Sequence, residues 1–183
     1  VNARCGAKVC HFVWSTAGRG KGLCDSIDWL KSINVRNNTE YDYANNQPDL
    51  IVINLGTNDI PYAKTEDGQW DGIWDDTGDK YKEDVTTLLN GVHAYYPNTK
   101  IIWTVGMMDR NTEISQQYIG YFKSYVETWS ASNDNMAYFL DLSSVADRTG
   151  HSGHPTIAGH AAAAEELYDY ICSNIKSIDE LAQ

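Results

Sequence analysis

Asp49-Leu50-Ile51-Val52-Ile53-Asn54-Leu55-Gly56-Thr57-Asn58-Asp59 is the stretch on which the fold turns. Its aliphatic run does not alternate with polar residues, which is how a strand covered on both faces reads, and it stops abruptly in Gly-Thr-Asn-Asp turn chemistry. Two other segments share this form. Val9–Trp14 leads into Ser15-Thr16-Ala17-Gly18-Arg19-Gly20-Lys21-Gly22, and Lys100–Val105 leads into Gly106-Met107-Met108. Met136–Leu142 is a fourth candidate strand.

The intervening segments carry a helical period. Between Lys80 and Ala94 the apolar residues are Val85, Leu88, Leu89 and Val92; between Ile114 and Ser130 they are Ile119, Phe122, Val126 and Trp129. A last helix is expected from Thr156 or Ile157 to about Ile175. Strands alternating with helices of this length predict an α/β domain, a mainly parallel sheet with helices on both faces. Such a sheet binds ligands beyond the carboxyl ends of its strands, where the three turn clusters converge.

Composition narrows the partners. The chain has 183 residues, one domain's worth, and 14 Lys plus Arg against 25 Asp plus Glu give a net charge of −11. That field repels polyphosphate and anionic lipid, so neither nucleic acid nor a membrane surface is expected as partner. No apolar run approaches the roughly 20 residues of a bilayer span. Twelve Tyr and six Trp supply rings of the kind that stack on the apolar face of a sugar, although many of them serve equally as core. Cys5, Cys10, Cys24 and Cys172 lack paired CxxC spacing; one or two disulfides in an oxidising compartment, or buried free thiols, fit them. Ala63 to Asp79 fits neither period and holds Trp70, Trp74 and six acidic residues, a long loop read either as the rim of a site or as a solvated surface.

Two clusters carry chemistry. An amide side chain such as Asn58 at a strand terminus is a preorganised donor to a developing oxyanion, and Gly56 lets the backbone turn close to the reacting centre; the same letters also serve ordinary helix capping. His154, on a loop before Pro155 at the entry to the last helix, is placed to act as a general base. His151, His154 and His160 lack the spacing and the companion Glu of a zinc site, and no metal or organic cofactor is expected. His160 reads as a packing or capping residue of the first helical turn. The glycine cluster lacks the Gly-Lys-Ser/Thr end of a phosphate loop, whereas a glycine turn ending a strand can donate a backbone N–H to an oxyanion.

In this order the blocks resemble the SGNH (GDSL-type) hydrolase superfamily. Trp14-Ser15 with Gly18-Arg19-Gly20, the run Pro48–Asp59, and His154-Pro155 are most similar to carbohydrate esterase family two, the acetyl esterases of plant-polysaccharide degradation. The resemblance spans Val9 to the last helix and implies a three-layer, flavodoxin-like α/β/α sandwich. It also implies Gly18 and Asn58 as oxyanion donors, His154 as base, and an acetylated carbohydrate such as xylan as substrate of a secreted serine esterase. The acid that usually lies three residues before the His is here His151, leaving a backbone carbonyl, or Asp147, to orient the ring.

The nucleophile departs from the family pattern. The superfamily's Gly-Asp-Ser motif follows the first strand, upstream of the glycine turn, whereas Cys24-Asp25-Ser26 follows that turn and reads as a helix N-cap. Ser15 aligns with a structural serine. The expectation is a single domain, residues 1–183, lacking its first strand, with the nucleophilic Ser supplied by a missing segment or a cleaved N-terminal chain. Other classes remain: a catalytically silent secreted sugar-binding domain that keeps the rim of Trp70 and Trp74, a metal-dependent hydrolase, and a purely structural secreted module.

Overall fold

Parallel pairing organises the chain. A computed structural model describes residues 32–34, 39–40, 42–57, 59, 79–109 and 111–175. After a short antiparallel pair, β1 (Ser32–Asn34) and β2 (Thr39–Glu40), come β3 (Leu50–Asn54), α1 (Asp79–Tyr95), β4 (Lys100–Val105), α2 (Glu113–Ala131), β5 (Ala137–Asp141) and α3 (Ile157–Asn174). Strands β3, β4 and β5 form a sheet in that order, all parallel, with Asn54 opposite Thr104 and Thr104 opposite Leu140. Their carboxyl ends therefore lie along one edge.

The alternation of side chains across β4 builds the layers. Ile101, Trp103 and Val105 face one side and pack with Val85, Leu88, Leu89 and Val92 of α1 and with Ile119, Phe122 and Val126 of α2. Ile102 faces the other side, with Leu140, Leu142 and Ala163, and Leu167 and Ile171 of α3 close over them. This is the expected α/β/α sandwich. No helix among the described residues is long and apolar enough to cross a membrane.

The helices start and stop where local chemistry dictates. Thr112 caps α2: its hydroxyl accepts from the Ser115 N–H while the Ser115 hydroxyl accepts from the Thr112 N–H, a capping box that satisfies two backbone donors. After α2 the chain reverses through Asp134 and Asn135, both with positive φ, residue types that tolerate the left-handed region. The Thr156 hydroxyl caps α3 by accepting from the Gly159 N–H.

Two expectations need correction. Read as a strand covered on both faces, β3 nevertheless leaves Val52 44% exposed; among the described residues it pairs only with β4, so its outer side carries less cover. Disulfides or buried free thiols fit the four cysteines by sequence, but Cys172 is an exposed free thiol on α3. The strand expected at Val9–Trp14, the glycine cluster with Gly18, and most of the acidic loop with Trp70 and Trp74 lie outside the described residues.

Candidate functional site

Three connections leave the carboxyl edge of the sheet, and each is built around a backbone position that excludes a larger residue. After β3, Gly56 has φ +122°, and a Cβ there would sit 2.9 Å from Cε2 of Phe122 and 3.2 Å from Cγ2 of Val105. The Asp59 N–H closes the turn on the Gly56 carbonyl at 2.9 Å, and the Trp103 indole donates to the Leu55 carbonyl at 2.9 Å. Core packing thus reaches directly into the turn. Gly56→Ala is expected to cost about 1–3 kcal/mol in a urea denaturation series, from overpacking and the unfavourable φ together. Asn58 itself lies outside the described residues, between the described Thr57 and the buried Asp59.

After β4, Gly106 has φ +102°, and a Cβ there would lie 2.7 Å from the Ser143 nitrogen and 2.8 Å from Oδ1 of Asp141. The same Asp141 carboxylate accepts from the Ser143 N–H at 2.8 Å, so the exits of β4 and β5 interlock without room for a side chain. The Asp109 carboxylate accepts from the Gln116 amide at 2.6 Å, bridging the β4 exit to the first turns of α2.

The third connection carries His154. Its start is fastened to the sheet edge, because the Asp147 N–H donates to the Met107 carbonyl at 3.1 Å. From there a 3-10 turn over His151–Gly153 brings the chain round, with Ser152 at φ 56° and Gly153 at φ 72°. The His154 N–H donates to the His151 carbonyl at 3.1 Å, and the His154 carbonyl accepts from the Gly150 N–H at 2.9 Å. Extended backbone at His154, φ −90° and ψ 164°, then feeds through Pro155 into the Thr156 cap of α3. The His154 side chain is exposed, and among the described residues none hydrogen-bonds to its ring.

Asp147, one of the two candidates for orienting that ring, is engaged elsewhere. Its carboxylate accepts from the N–H and hydroxyl of Thr149, at 2.9 and 2.7 Å, and from the N–H and hydroxyl of Thr156. These bonds, those from the Thr156 hydroxyl foremost, hold its carboxyl well below the usual carboxylate range. The carboxylate is therefore ionised at any pH above about 4, where an unfolded Asp also is, and the bridge weakens only in stronger acid. Amide protection factors at Thr149 and Thr156 are expected to stay constant from neutral pH to about pH 5. A drop over that interval, seen by hydrogen exchange, contradicts this.

His160, expected to pack or cap, does neither: its side chain is exposed on the first turn of α3, and the capping hydroxyl belongs to Thr156. Among the described residues no three His, Cys, Asp or Glu side chains gather as metal ligands. Of the residues singled out from the sequence for catalysis or binding, His154 is described at the site edge; Gly18, Asn58, Trp70 and Trp74 lie outside the described residues. What sequence reading missed is the pairing of Asp147 with Thr149 and Thr156. The Asp-x-Thr spacing is a local turn signal, but the bond to a cap nine residues on is visible only in three dimensions.

Comparison with known proteins agrees with this arrangement. The family description GDSL-like Lipase/Acylhydrolase matches residues 2–167. The cellulase/esterase CelE of Acetivibrio thermocellus is 29% identical over 131 residues, 69% of this chain and 14% of that protein. Among solved structures, a family two carbohydrate esterase from Clostridium thermocellum in complex with cellohexaose shares the fold with a TM-score of 0.71 at 24% identity, over 93% of this chain and 48% of that one. An acetyl xylan esterase from the rumen bacterium Butyrivibrio proteoclasticus does so with a TM-score of 0.67 at 23% identity, over 93% and 49%. The chain thus spans about half the length of these solved esterases and a seventh of the curated relative. With a parallel sheet, the Gly56 turn on its carboxyl edge and a His-Pro loop fastened to the same edge, the chain belongs to the GDSL-like lipase/acylhydrolase family.

Proposed function

We propose that the gene product removes acetyl groups from plant polysaccharide such as xylan, as a secreted serine esterase that uses no metal or organic cofactor. A serine hydroxyl attacks the acetyl carbonyl while His154 takes its proton. The Gly18 N–H and the Asn58 amide donate to the oxyanion of the tetrahedral intermediate. Collapse expels the sugar oxygen, which receives the proton from His154, and water then cleaves the acetyl-enzyme by the same steps in reverse roles. Trp70 and Trp74 offer stacking faces for the sugar chain.

The observation that carries this reading is the hydrogen bond from Asp147 to Met107, which fastens the His154 loop to the carboxyl edge of the sheet, where β3 also delivers its Gly56 turn. Family membership supports ester hydrolysis in general; the likeness to carbohydrate esterases supports a sugar ester as substrate. The proposed nucleophile is a serine outside these 183 residues, on a preceding segment or a cleaved companion chain, since neither Ser15 nor Ser26 stands in a Gly-Asp-Ser motif. That same feature favours a second reading, a secreted domain of this fold that binds carbohydrate without turning it over. Labelling the complete gene product with a serine-reactive phosphonate, followed by peptide mapping, separates the two. Label on a serine outside these residues is expected; a label on Ser15 or Ser26 overturns the placement of the nucleophile, and no label at all supports the binding domain.

A further inference from the structure

The loop that presents His154 holds its shape through one carboxylate. Asp147 sits where the chain leaves the sheet, its own N–H bonded to Met107, and its side chain reaches across nine residues to the N–H and hydroxyl of Thr156 while also holding Thr149. Both ends of the segment that contains His154 are therefore gripped by a single side chain. Two glycines make this possible. A Cβ on Gly159 would collide with the Asp147 carboxylate, and a Cβ on Gly150 would lie 2.6 Å from the His154 carbonyl that its N–H now serves. Thr156 in turn caps α3, so the same hydroxyl links the carboxylate to the helix.

We propose that Asp147 is the positioning residue for His154, fixing the base through the backbone of the 147–156 loop instead of through a bond to the imidazole. The position three residues before His154, where the resembled family places its orienting acid, is here His151, and it contributes its backbone carbonyl to the His154 N–H. An acid bonded to the ring would both orient it and neutralise the imidazolium. Asp147 has its oxygens committed to threonines and supplies orientation alone. The inference rests on the reading of His154 as the base. Misplacing a catalytic group by about 1 Å can cost on the order of 100-fold in rate, so the expected effect is large even though Asp147 is remote from the substrate.

The test uses the complete gene product and p-nitrophenyl acetate. Asp147→Ala is expected to lower kcat on the order of 100-fold with KM little changed, while thermal unfolding remains cooperative. Thr156→Ser, which keeps the hydroxyl, is expected to restore what Thr156→Val loses. Should Asp147→Ala fail to fold, the pair Thr156→Ser and Thr156→Val carries the comparison. Full kcat in Asp147→Ala, or equal rates in the Ser and Val variants, overturns the proposal if His154→Ala is inactive. Full activity in His154→Ala overturns instead the reading on which the proposal rests, and the proposal with it.

Discussion

Replacing Trp103 by alanine is expected to lower the free energy of unfolding by about 3–5 kcal/mol, the usual range for removing a large aromatic from a core. Trp103 is fully buried at the middle of the central described strand, with a relative exposure of 0%. Its ring lies 6.1 Å from that of Phe122, at 23° between planes, so sheet and α2 meet on it. Its indole N–H is also the donor to the Leu55 carbonyl, one residue before the Gly56 turn. Trp103→Phe keeps most of the apolar volume but leaves that carbonyl without its donor, a loss of about 1–3 kcal/mol. Urea midpoints at constant m-value separate the two variants; equal stabilities for wild type and Trp103→Ala would contradict the packing described here.

His154→Ala is expected to reduce ester hydrolysis by the complete gene product by about 100-fold to 10,000-fold, the contribution of a positioned general base. Without it the serine must attack as a neutral alcohol, and the departing sugar oxygen must leave as an alkoxide with no proton. Stability should change little, because the side chain is exposed and makes no hydrogen bond among the described residues. His160→Ala serves as the control: that side chain is exposed on the first turn of α3, outside the proposed machinery, and its loss should leave kcat/KM unchanged. A His154→Ala protein with wild-type kcat/KM removes the base from the mechanism.

How far the sequence could be read follows from the range of the interactions concerned. The run Lys100–Val105 is β4 residue for residue, because its β-branched and aromatic residues favour a strand and Gly106 ends it. The bounds of α2 and α3 fall within about a residue of their expected positions, since Thr112 and Thr156 cap them through contacts three residues long. By contrast β1 and β2, of three and two residues, are too short to display a period of two. Exposure of Val52 was hidden too, because cover on the outer face of a strand is a property of its neighbours and not of its own letters.

The site divides the same way. His154 was legible because a His-Pro before a capped helix at the end of an α/β chain is itself a local signal. The work of Asp147 was not, since its partners are a turn residue and a helix cap on opposite sides of the loop. Asp147 does not orient the ring directly, because its carboxylate oxygens accept from Thr149 and Thr156. Gly18 and Asn58 rest on their motifs, and Trp70 and Trp74 on their place in the acidic loop; all four enter as parts of the proposed mechanism.

Acetate release from acetylated xylan, followed over time with the complete gene product and with its His154→Ala variant, decides whether the protein is a deacetylase. Steady release of free acetate by the wild-type protein, with the xylan backbone left uncut, is expected, and near-complete loss in the variant. Xylan binding by a folded wild-type protein that releases no acetate would contradict it and leave a carbohydrate-binding domain in its place.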